Sequence, residues 1–205
     1  MIVVETPLNP QNLERNLQII VERSKIPPYE GDDLLMDDKY SDACLLLEQN
    51  KLDEASVMFN SILQEDNRCY KSLNKLGVIY AKQGSFTKAT ACFNGALDIQ
   101  PDYAPAIVNL GNQAQEQGDN QTALAYYRDA INKDESYHMA YYNMAVTYKL
   151  MGNLDEYFKY LKQYKQHYKQ HLNNKDKAEA ARLRGQALKF SGIAIAILVL
   201  FFVFR

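Results

Sequence analysis

The chain has 205 residues, 47% of them apolar and 23% charged, enough for a packed core and too apolar for disorder throughout. A formal net charge of −2 supplies no basic field for nucleic acid, and three scattered cysteines make neither a disulfide framework nor a zinc site. The cysteine usage points to a reducing compartment, and nine glycines without a Gly-rich run leave no phosphate-cradling loop.

Met1–Val4 is too short an apolar run for a secretory signal, so the N-terminus is expected to stay in the cytosol. Asn9–Pro10 reads as an N-cap followed by proline at the first helical position, and Leu13, Leu17, Ile20 and Val21 continue as one apolar stripe. That helix either caps the segment after it or forms an arm that competes with partners for a groove. Pro27–Pro28 ends it, so residues 1–35 read as an N-terminal helix and linker carrying three basic and six acidic groups.

A period organises the middle of the chain. Ala55, Ala89 and Ala123 lie 34 apart, as do Phe59, Phe93 and Tyr127, and Gly84, Gly118 and Gly152 keep the step with Asn50 before them. Gly77 and Gly111 follow it too, flanked by Ala43 and Ala145 in the outer copies. Four copies tile over 36–69, 70–103, 104–137 and 138–171. Leu76, Tyr80, Ala89, Phe93 and Leu97 recur at helical spacing around a turn at Gln83–Gly84, so each copy reads helix–turn–helix. Gly77 and Ala89 are small where two antiparallel helices must approach, and Pro101 ends its unit. One such pair cannot cover its own apolar face, which predicts an all-α stacked solenoid.

The end copies depart from the pattern. Lys39 and Asp42 stand where apolar residues are usual, which disfavours the start of the first helix. Tyr157 fills an alanine slot, so either the last two helices separate or the tyrosine swings out. Tyr157, Leu161, Tyr164 and Tyr168 then continue as a packing stripe. Asn173–Asn174 is expected to break the helix, and Asp176 with Glu179 resembles a capping box that starts a basic helix over 172–189.

Phe190 to Phe204 holds fifteen uncharged residues between Lys189 and Arg205. A membrane span is expected over 190–204, in preference to a buried cap, because the segment is apolar on every face and a solenoid end covers only one. Nine Lys and Arg between Lys159 and Lys189 precede it, which places the repeats on the cytosolic side; those lysines read as orienting and lipid-facing.

The copy 70–103 resembles the tetratricopeptide repeat at Leu73, Leu76, Gly77, Tyr80, Ala89, Phe93, Ala96 and Pro101. The resemblance implies a right-handed solenoid whose concave groove is lined by the first helix of each pair and binds protein segments. Carried onto this chain, it implies Lys71, Asn74, Lys75, Val78 and Lys82, then Val108, Asn109, Asn112 and Gln115, then Tyr142, Asn143, Val146 and Lys149. The candidate protein-binding residues are Lys71, Asn74, Lys75, Lys82, Asn109, Asn112, Tyr142, Asn143 and Lys149, with amides for an extended backbone and lysines for an acidic segment. A chaperone-tail clamp of this family is disfavoured, because its Lys and Asn slots hold Asn74 and Val78.

No catalytic residue, metal site, cofactor or small-molecule substrate is expected. His167 and His171 are four apart but lie in a Lys-rich stretch that repels a cation, and neither Cys44 nor Cys92 has a His or basic partner at a telling spacing. The functional expectation is a membrane-anchored adaptor or scaffold that assembles protein partners. The alternative is a non-catalytic or catalytic accessory subunit of a membrane enzyme complex.

Overall fold

The computed structural model describes residues 33–203, with side chains placed continuously from Asp38 to Lys177. The expected N-terminal helix over 10–24 lies outside the described residues. Eight helices succeed one another: α1 (Asp33–Glu48), α2 (Leu52–Glu65), α3 (Tyr70–Lys82), α4 (Phe86–Ile99), α5 (Ala104–Glu116), α6 (Asn120–Lys133), α7 (His138–Leu150) and α8 (Leu154–Val203). Each helix packs on its neighbour in sequence, and the first helices α1, α3, α5 and α7 also touch one another in order. The result is a two-layer solenoid with the odd-numbered helices forming the inner layer.

The turns explain the glycine period. Ser85 N donates to Tyr80 O at 2.8 Å and Gly84 N to Ala81 O at 2.9 Å, the paired bonds of a Schellman ending. The same pair recurs at Lys51/Asn50, Asp119/Gly118 and Asn153/Gly152. This ending needs a left-handed residue, and φ is +74° at Gly84, +83° at Gly118 and +76° at Gly152, with Asn50 at +59° in the first copy. Asparagine tolerates that region better than other side chains, which is why it can substitute there.

Inside the second and third pairs a large ring meets a missing side chain, with Ala43 and Ala145 in the same slot of the outer pairs. Phe59, Phe93 and Tyr127 are at most 1% exposed. A Cβ built at Gly77 would lie 2.6 Å from Phe93 Cδ1, and one at Gly111 would lie 2.5 Å from Tyr127 Cε1. The repeat therefore closes by ring-into-backbone packing at van der Waals contact.

The structure corrects two expectations about the ends. Helix α1 does form despite Lys39 and Asp42, and it begins before position 36: Lys39 Nζ reaches the Glu65 carboxylate of α2 at 2.6 Å, so the lysine is paired across the helix pair, and Asp42 stays exposed. At the other end Asn173–Asn174 does not break anything. Helix α8 runs 50 residues through it, and the Asp176–Glu179 box starts no new helix. No proline or glycine occurs between Asn153 and Gly185, and two asparagines cost about 0.7 kcal/mol each among Lys, Gln, Ala and Leu, too little to end a helix packed along its first turns. Tyr157 takes the outward option, half-buried with Lys149 Nζ 5.7 Å above its ring.

Among the described residues no helix is long and apolar enough to cross a membrane. The fold thus gives the expected span over 190–204 no support. The backbone of α8 continues to Val203, but the side chains beyond Arg184 lie outside the described residues.

Candidate protein-binding groove

The inner layer carries the expected residues, but it uses many of them internally. Asn74 is 4% exposed, and its Oδ1 accepts from Asn109 Nδ2 at 2.9 Å. One repeat further on, Asn143 Nδ2 donates to Asn112 Oδ1 at 2.7 Å. The same oxygen accepts from the buried Tyr127 hydroxyl at 2.9 Å. Gln115 Nε2 donates to Thr147 Oγ1 at 2.7 Å. These side chains are clips between successive inner helices, α3 to α5 and α5 to α7. Burial holds the Tyr127 phenol far above its ordinary value, so its hydroxyl stays a donor.

A hollow of about 190 Å³ opens between α3 and α5, lined by Val78, Ala81, Lys82, Phe93, Asn109, Asn112, Gln113 and Glu116. Four of the expected residues, Val78, Lys82, Asn109 and Asn112, meet there. Lys71 and Lys82 are exposed and Lys75 is half-buried, all three on α3. Tyr142 and Lys149 lie on α7 away from the hollow: Tyr142 packs on Tyr164 with ring centroids 5.2 Å apart, and Lys149 covers Tyr157. Val108 is 3% exposed and belongs to the core instead of the groove.

Gln113 and Glu116 were missed from the sequence. Gln113 Nε2 donates to Phe86 O at 3.1 Å, while its Oε1 accepts from Thr90 Oγ1 at 2.8 Å. It thereby fixes α5 to α4 beside the hollow. The 34-residue register puts Gln113 level with Ile79 and Thr147, both fully buried, and this was the available signal that the position faces the preceding pair.

The histidines form a cluster that spacing along one helix did not show. His138 of α7 meets His171 in a tilted contact with ring centroids 4.7 Å apart, and His167 lies flat on Tyr141 at 4.5 Å and 10°. Burial, then the neighbouring His171 and His167, lowers the His138 pKa below its ordinary value of 6.5. Among the described residues no group of three or more His, Cys, Asp or Glu is placed to hold a metal. Cys92 is 1% exposed, and burial pushes its thiol up to about 12, which keeps it protonated and inert.

Comparison with known proteins agrees with this geometry. Two sequence profiles described as tetratricopeptide repeat match residues 69–136 and 139–171. The human protein O-mannosyl-transferase TMTC1 is 28% identical over 148 residues, which cover 70% of this chain and 16% of that protein. A probable UDP-N-acetylglucosamine–peptide N-acetylglucosaminyltransferase SPINDLY of Hordeum vulgare is 32% identical over 109 residues, 50% of this chain and 12% of that one. The chain thus spans less than a fifth of the length of these relatives. A crystal structure of MamA superposes with a TM-score of 0.53 at 15% identity, covering 82% of this chain and 99% of that one. An O-GlcNAc transferase mutant from Thermobaculum terrenum gives 0.51 at 19% identity, covering 55% and 22%. At such identities the likeness is one of fold. Residues 69–136 and 139–171 of this chain are tetratricopeptide repeats.

Proposed function

We propose that the chain is a non-catalytic adaptor whose inner groove captures an extended acidic segment of a protein partner and holds it at a membrane. The hollow between α3 and α5 carries this reading. At about 190 Å³ it is smaller than the roughly 300 Å³ at which small-molecule sites begin. It offers room for one ligand side chain, an apolar wall of Val78, Ala81 and Phe93, and a polar floor of Asn109, Asn112 and Gln113. Each floor amide has more donors and acceptors than its clip consumes, leaving capacity for a peptide backbone. Lys71, Lys75 and Lys82 along α3 favour an acidic ligand, bound more weakly as salt rises.

Because Asn109 is a clip, its removal would loosen the stack as well as the groove. The cleaner test is Lys75→Glu with Lys82→Glu, neither of which is in a clip. Partner capture by proximity labelling should be lost in that variant while helicity is unchanged; unchanged capture would move the binding face elsewhere.

The membrane arm of the proposal is supported by sequence, the uncharged Phe190–Phe204 between Lys189 and Arg205. If that segment inserts, α8 is a stalk. Residues 172–189 would hold the repeats about 27 Å above the bilayer at 1.5 Å per residue. Lys159 to Lys169 then sit about 30–45 Å along the helix from Phe190, too far to touch headgroups, so they are not lipid-facing. Deleting 190–205 should release the protein from membranes into the soluble fraction, and identical partitioning of the two forms would remove this arm. A second reading is an accessory module of an enzyme complex, favoured because the matched stretches belong to transferases. Recovery of a transferase as the labelled partner would select it.

A further inference from the structure

The two ends of the solenoid are unlike its interior, and they are unlike each other in a complementary way. In the 34-residue register, Leu45 of α1 is level with Ile79, Gln113 and Thr147. Those three are 0%, 6% and 0% exposed because each faces the preceding pair, whereas Leu45 is 52% exposed. Asp38 occupies the slot of the fully buried Ser72, Ala106 and Ala140, and Asp42 that of Leu76, Leu110 and Met144. Both aspartates are exposed, and the nearby Lys39 is already paired with Glu65.

At the far end, Phe158 of α8 occupies the slot of Leu124, which α7 covers to 4% exposure; Phe158 is 62% exposed. Leu154, one turn earlier on α8, is 56% exposed. Lys165 stands in the slot of Leu63, Leu97 and Ile131, and with Lys162 it is exposed, whereas Lys159 is tied to Glu156 at 3.0 Å. A purely capping end would turn a polar face outward. This one presents an aromatic and aliphatic patch with two lysines.

We propose that a second copy of the chain covers that patch, the α1 face of one copy docking on the α8 face of another as though it were the next repeat. Leu45 then meets Phe158, and Asp38 and Asp42 meet Lys165. The contact is heterologous, so it propagates into an open assembly unless its rotation closes a ring. Charge sets its direction, since α8 against α8 would oppose lysines and α1 against α1 would oppose aspartates. The assembly does not depend on the groove reading.

The test is sedimentation velocity on the full chain in a non-ionic detergent, with Asp42→Lys, Lys165→Asp and Phe158→Glu. All three positions are exposed, so helicity by circular dichroism should match the unsubstituted chain. The unsubstituted protein should grow beyond a dimer as concentration rises and shrink as salt rises. Each charge reversal alone, and Phe158→Glu, should weaken association at least about tenfold. Mixing Asp42→Lys with Lys165→Asp should restore it, because each reversed end then finds its complement. Lys75→Glu with Lys82→Glu should leave assembly unchanged, which separates this result from failure of the groove. A monomer at all concentrations, single reversals that associate as the parent does, or absence of rescue on mixing would overturn the proposal.

Discussion

Replacing Asn112 with alanine tests the clips directly. Asn112 Oδ1 accepts from Tyr127 Oη at 2.9 Å and from Asn143 Nδ2 at 2.7 Å, so one deletion takes an acceptor from two donors, with Thr147 left beside the Tyr127 hydroxyl. They are not equally exposed. Tyr127 is 0% exposed, and a buried hydroxyl without an acceptor costs about 1–3 kcal/mol. Asn143 is half-buried and can turn to water, so only the net value of its bond, about 0.5–1.5 kcal/mol, is lost. Together they predict a loss of about 1.5–4.5 kcal/mol for Asn112→Ala, toward the lower end because Thr147 remains beside the Tyr127 hydroxyl. The loss falls on the interface between the third and fourth pairs, so amide exchange in α7 should quicken by at least about tenfold while α1 and α2 change little. Urea unfolding followed by circular dichroism supplies the global number. The control is Tyr127→Phe, which removes the stranded hydroxyl: it should destabilise the parent but be neutral or stabilising in the Asn112→Ala background. Asn112→Ala costing less than about 0.5 kcal/mol, or Tyr127→Phe costing the same in both backgrounds, would refute the clip.

Two glycine substitutions should fail for different reasons. Gly77→Ala drives a Cβ into the Phe93 ring and should cost about 1–2 kcal/mol net, the overpacking penalty less the helix-propensity gain, and Phe93→Leu should relieve it. Gly118→Ala meets no atom within 4 Å, yet φ of +83° should make it cost about 1–2 kcal/mol, and no neighbouring substitution should rescue it. Thermal unfolding of the four proteins decides both. The His138 pKa is lowered in the folded state, so the unfolded state binds the proton more readily; stability is fully present above the ordinary 6.5 and declines as pH falls below it. Denaturation midpoints of the parent and His138→Gln should therefore converge as pH falls through that range, and parallel midpoints would exclude the effect.

The repeat boundaries were legible because backbone geometry itself writes the period. A left-handed turn residue is needed once per pair, so Gly84, Gly118 and Gly152, with Asn50, repeat whatever their neighbours do. Small residues opposite rings repeat for the same reason. What could not be read was which polar side chains find each other across pairs. Asn74 and Asn109 are 35 residues apart and Asn112 and Asn143 are 31 apart, close to one period but offset by +1 and −3. A register built on 34 puts Asn74 level with Val108 and Asn109 level with Asn143, and so aligns the residues that do not bond. The bonded partners are adjacent only after the rotation of one pair on the next, which spacing along the chain does not encode.

That offset bears on the groove. Amides turned toward one another set the spacing of α3, α5 and α7, and the hollow lined by Lys82, Phe93 and Glu116 exists at the spacing they set. Residues that the repeat register assigns to ligand contact therefore act one step sooner, on the distance between the helices that bear the contacts. The end positions invert the logic: Leu45 and Phe158 obey the interior pattern with no helix left among the described residues to satisfy it. A period alone marks them as core, and only their exposure marks them as surface, so a partner for either must come from outside the described fold.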